Sequence, residues 1–78
     1  MDIKGYRELS QEEIDLVNEI KAKAIEVGQL VDKLRVTKAT PAKEEPTICD
    51  QRWVSIGNTD LQTGFMALVR SVTKPTTF

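Results

Sequence analysis

The side chains able to do chemistry in this chain are few, and their types suit holding a ligand better than transforming one. Tyr6 sits between Gly5 and Arg7 in a short N-terminal arm, and Lys21 stands in an otherwise apolar and acidic stretch. Asp50, Arg52 and Trp53 cluster further on, with Asn58, Thr59, Asp60 and Gln62 close behind. An aromatic ring can stack on a flat base, and a flexible ammonium can meet a phosphate. Each residue also has a plain alternative. Tyr6 can edge a core, Lys21 can be a surface charge, and Arg52 and Asp60 can be an intrahelical pair. Composition alone does not choose between these readings.

Catalysis lacks its usual parts. The chain has no histidine, so neither a Ser/His/Asp nor a Cys/His arrangement can be assembled, and no glycine loop of the phosphate-cradling kind is present. Cys49 is the one cysteine. It can form no internal disulfide, and without a histidine to activate it, it reads as a small buried or half-buried residue. Glu12, Glu13, Asp15 and Glu19 form a solvated helix face, and no ligand spacing typical of a metal site appears. The expectation is a binding protein, not an enzyme, with no cofactor.

Charge narrows the partner further. Eleven basic and twelve acidic residues give a net charge of −1. A nucleic-acid polymer normally meets a basic excess, so that partner is disfavoured. A small anion needs only one or two placed cations. No apolar run reaches signal-peptide or membrane-spanning length, which leads us to expect a soluble, cytosolic protein with no membrane partner.

The elements that must position these residues are two helices: an arm over 1–9, a helix over 10–36, a linker over 37–49, a helix over 50–73 and a tail over 74–78, in a single domain. Ser10-Gln11-Glu12-Glu13 has the pattern of a capping box. Val17, Ile20, Ala24, Val27, Val31 and Leu34 recur at alternating spacings of three and four, a heptad seam. Ile14, Leu16, Ile25 and Leu30 widen the apolar surface beyond that seam, as for a helix with neighbours on two sides. The linker, with Pro41, Pro46 and Lys43-Glu44-Glu45, reads as a solvated, mobile turn.

Asp50 is a fair cap for the second helix. Val54, Leu61, Phe65, Leu68 and Val72 make its apolar face. Gly57, Gly64 and Ser71 recur every seven residues, which favours close helix approach, and Gly28 allows the same on the first helix. Pro75 stops the helix, leaving Phe78 either to dock on a neighbouring subunit or to fray. The predicted fold is all-α, an antiparallel two-helix hairpin. Such a pair encloses no interior and has no disulfide or metal staple, so its wide faces must be covered by further copies in a homo-oligomer.

Two segments carry a family resemblance. GYRELSQEEIDLVNEIKAKA (residues 5–24) resembles the arm and first helix of the second anti-CBASS family of bacteriophage. DQRWVSIGNTDLQTGFMALVRSV (residues 50–72), with the tail ending in proline and phenylalanine, resembles its second helix. The ordered motifs RW, TDLQ and GFMALVR are not generic helix vocabulary. A related anti-Thoeris family shares the hairpin in longer chains, so the short length here points to the anti-CBASS branch. The resemblance implies a sponge in the infected host's cytoplasm, sequestering cyclic dinucleotides such as cyclic GMP–AMP and cyclic trinucleotides such as cyclic triadenylate without degrading them. It further implies a compact homohexamer, with Tyr6 and Lys21 at the dinucleotide and Arg52 at the trinucleotide.

One constraint then follows from helix geometry. Ser10 and Lys21 stand roughly 16 Å apart along a helix, and Tyr6 lies beyond Ser10. Unless the arm folds back, Tyr6 of one subunit must meet Lys21 of another. The competing reading is a structural or adaptor hairpin whose surface binds a host protein.

Overall fold

The structure, a computed structural model, describes residues 8–75. Tyr6 and Phe78 lie outside the described residues. Two helices make up the regular structure, α1 (Gln11–Val36) and α2 (Gln51–Thr73), and among the described residues there is no strand.

Local chemistry sets the ends of each helix. Ser10 is extended and its Oγ accepts from the Glu13 N–H at 3.2 Å, while Glu13 Oε1 accepts from the Ser10 N–H at 3.0 Å. This reciprocal box satisfies two amide donors that the first turn would otherwise leave open. α1 stops where Thr37 turns extended, its N–H donating to the Lys33 carbonyl at 3.0 Å and its Oγ1 to the same oxygen at 2.7 Å. Asp50 starts α2 by accepting from the Arg52 N–H at 3.0 Å. At the far end Lys74 is left-handed, with φ of 45°, a conformation that costs an L-residue about 1–2 kcal/mol. Its N–H closes the last turn on the Arg70 carbonyl at 2.8 Å, just before Pro75.

The helices pack antiparallel along the predicted seam. Val17 and Val31 are buried, and Ile20, Ala24, Val27 and Leu34 between and beyond them are half-buried. Val54, Phe65, Val69 and Val72 are half-buried on α2. Leu68, expected on that face, is 52% exposed. The helical turn brings Val69 under α1 in its place.

Two expectations are corrected. A Cβ built on Gly28, Gly57 or Gly64 meets nothing within 4 Å, so these glycines do not serve a close approach between the two helices of one chain. The linker is also tied down more firmly than a mobile turn. The Ile48 N–H donates to the Thr37 carbonyl at 3.0 Å, and the Thr40 N–H to Glu45 Oε1 at 2.6 Å. Gln51 Nε2 reaches the Leu34 carbonyl at 3.2 Å, Thr47 Oγ1 at 2.7 Å and the Cys49 carbonyl at 3.0 Å. One amide therefore joins the end of α1, the linker and the start of α2, and fixes their register. Gln51→Ala should cost about 1–2 kcal/mol, read as a lower midpoint in thermal unfolding followed by circular dichroism.

The core is thin. The chain exposes 6496 Å², against about 4,800 Å² for a compact monomer of this size, an excess of about 1,700 Å². Among the described residues eleven large apolar side chains are exposed while two are buried, so most of the apolar surface lies outside the seam. Leu16, Ile25 and Leu30 are all at least half exposed, on the outer part of α1. Among the described residues, no helix is long and apolar enough to cross a membrane.

Candidate functional site

Two helices in contact along one seam leave a trough at the side of that seam. Its lining includes Lys21 and Gly28 of α1 and Gln62, Met66 and Arg70 of α2. Ala24, Val27 and Phe65, all half-buried, give it an apolar floor. The cavity holds about 610 Å³, within the range of small-molecule sites. Gly28 keeps its wall low, since a side chain there would project into open space.

Polar groups on the trough are few. Among the described residues, Lys21 and Arg70 are its cations, Asn58 and Gln62 supply amides, and no carboxylate lines the cavity. Lys21 is exposed, and none of the described carboxylates pairs with it. Its neighbour Lys23, in contrast, points to Glu26 at 3.7 Å, a surface pair worth little in water. The trough thus offers positive charge over an apolar floor, an arrangement for holding an anion with flat apolar parts.

Arg52 stands elsewhere. Its guanidinium carbon is 6.0 Å from the centroid of the Trp53 ring, at the outer reach of a cation–π contact, and both side chains are exposed. Trp53, Cys49 and Asp50 border a second hollow of about 330 Å³ against Val31 and Leu34, at the linker end of the hairpin. Met66, which shares the trough with Lys21, lies roughly 20 Å along α2 from Arg52. The structure therefore separates Lys21 from Arg52, and Tyr6 falls outside the described residues.

Sequence reasoning singled out Asn58 and Gln62 among the polar residues of the second helix but passed over Arg70. The signal for it lay in the register. Gln62, Met66 and Arg70 follow one another at helical spacing, and pairing Leu34 with the start of α2 brings that row opposite Lys21.

Comparison with known proteins agrees with this architecture over nearly the whole chain. Residues 1–73 match the family described as Acb2/Tad1, hairpin domain. The chain is also 37% identical, over 98 aligned positions, to a Pseudomonas phage JBD67 protein named anti-CBASS protein 2. That alignment covers 94% of this chain and 91% of the relative. A match of this extent leaves neither helix unaccounted for, and the chain belongs to the Acb2/Tad1 hairpin family.

Proposed function

We propose that this protein is a phage anti-CBASS sponge, which binds cyclic oligonucleotide messengers and keeps them from their effectors. The observation that carries this reading is the end-to-end similarity to a protein named for anti-CBASS action, covering 94% of one chain and 91% of the other. The trough supports it independently of the relative's name. A cyclic dinucleotide combines phosphates with flat purine rings, and the cavity combines an apolar floor with cations that pair with no described acid.

In this reading Lys21 meets a dinucleotide phosphate, Tyr6 of a second subunit stacks on a base, and Arg52 serves cyclic trinucleotides at the linker end. Copies of the hairpin assemble, as a hexamer, to cover the exposed apolar surface and complete the pockets. The ligand leaves chemically unchanged, and the action takes place in the cytoplasm of the infected host.

Calorimetry with cyclic GMP–AMP and with cyclic triadenylate tests the reading. Heat of binding at micromolar concentration is expected, with the ligand recovered intact after the protein is denatured. Absence of heat with both ligands would leave the adaptor reading in its place, and recovery of cleaved ligand would make the protein a hydrolase.

A further inference from the structure

We propose that Gln51 is a positioning residue for cyclic trinucleotides: its side-chain amide clamps the first turn of α2 onto the end of α1 and so holds Arg52 where the ligand's phosphates meet it. The inference rests on the trinucleotide reading of Arg52 above and adds a residue that acts without touching the ligand.

The clamp starts at an open backbone group. Leu34 lies in the last turn of α1, where carbonyls have no partner further along the helix. Gln51 is the first residue of α2 and is half-buried, and its Nε2 donates to that carbonyl at 3.2 Å. The same nitrogen meets Thr47 Oγ1 at 2.7 Å and the Cys49 carbonyl at 3.0 Å, so its two N–H groups are shared among three acceptors. Another tie between the helices at this end, from Arg35 Nη1 to Ser55 Oγ, is 3.4 Å long, beyond the usual range of such a bond. Gln51 therefore carries the polar attachment of the α2 start to α1.

Arg52 depends on that attachment. Its N–H donates to Asp50 Oδ1 at 3.0 Å, which fixes its backbone within the first turn. Its side chain has no comparable hold. Among the described residues no carboxylate pairs with it, and the Trp53 ring centroid lies 6.0 Å away. The guanidinium is exposed, so its position follows that of its backbone. A planar guanidinium meeting a phosphate at two points tolerates little error in angle, and helix ends fray unless they are tied down. Tyr6 and Lys21, the residues read for the dinucleotide, belong to the arm and to α1 and do not depend on the start of α2. The plain alternative is that Gln51 only stabilises the fold, which would leave the two ligand classes equally affected.

Calorimetry on the full-length protein, well below its unfolding midpoint, separates the two roles. Gln51→Met keeps the length and neutrality of the side chain and removes the donor. It should weaken cyclic triadenylate binding about 3–10-fold, the range of one net hydrogen bond, with cyclic GMP–AMP binding unchanged. In an Arg52→Lys background the loss should shrink, because a single ammonium needs less exact placement than a guanidinium. An unchanged triadenylate affinity, an equal loss for both ligands, or the same loss in both backgrounds overturns the proposal. Wild type that binds no triadenylate, or Arg52→Ala that binds it undiminished, removes the trinucleotide reading itself and the proposal with it. Should Gln51→Met not fold, Thr47→Val decides, since it removes the 2.7 Å acceptor of the clamp. A loss confined to cyclic triadenylate is expected, and no loss, or an equal one for both ligands, overturns the proposal.

Discussion

Lys21→Ala is expected to weaken cyclic dinucleotide binding about 10–100-fold while the helical signal and the assembly state stay unchanged. Lys21 is exposed and contributes nothing to the seam, so its removal leaves the fold intact. The loss should steepen at low salt, because screening already weakens the contact at high salt. Tyr6→Ala should weaken the same ligand by a similar or smaller factor, since stacking on one base is worth roughly 1–3 kcal/mol.

The decisive arm mixes the two variants. If Tyr6 of one subunit meets Lys21 of another, co-refolded Tyr6→Ala and Lys21→Ala chains regain some sites with wild-type affinity. A mixture that assembles but binds no better than either parent would place both residues in one chain. Cyclic triadenylate is the internal control, because Arg52, the residue proposed for that ligand, lies at the other end of the hairpin.

The second large effect is on the fold itself. Val31 is 7% exposed and forms the ridge between the two hollows, touching the lining of both. Val31→Asp would place a carboxylate where no described cation waits for it, at a cost of several kcal/mol. Small domains have only about 5–15 kcal/mol in total, and a chain with two buried side chains among its described residues sits at the low end. Loss of the helical circular dichroism signal is expected. Leu16→Asp makes a contrasting partner, because Leu16 is half exposed in the single hairpin. Within one chain it should change stability by no more than about 0.5 kcal/mol. If it instead breaks the assembly on a sizing column, the outer face of α1 is an interface between copies.

What the sequence made legible, and what it hid, follows the range of the interactions involved. The caps at Ser10 and Asp50 are decided within three residues, and their hydrogen bonds form as the sequence pattern requires. The seam from Val17 to Leu34 was equally plain, because helical periodicity needs no knowledge of the partner. Val69 in place of Leu68, and the whole trough, depend on how α2 is set against α1. That register is held by Gln51 through a carbonyl on the other helix, a contact that no local pattern announces. Arg70 was invisible for the same reason. The glycines misled for a different one: spacing reports that a surface is small, but not which chain it faces.

The thin core bears on when, as well as how, such a protein can act. If copies complete the fold, folded protein accumulates by mass action, and its fraction rises steeply with the amount of chain made. A sponge is consumed stoichiometrically, one site for each messenger. Below the threshold where chains meet, the infected cell would contain little working protein. Above it, folded chains and finished pockets would appear together, so the timing and strength of early synthesis would set how much immune signal the phage can absorb.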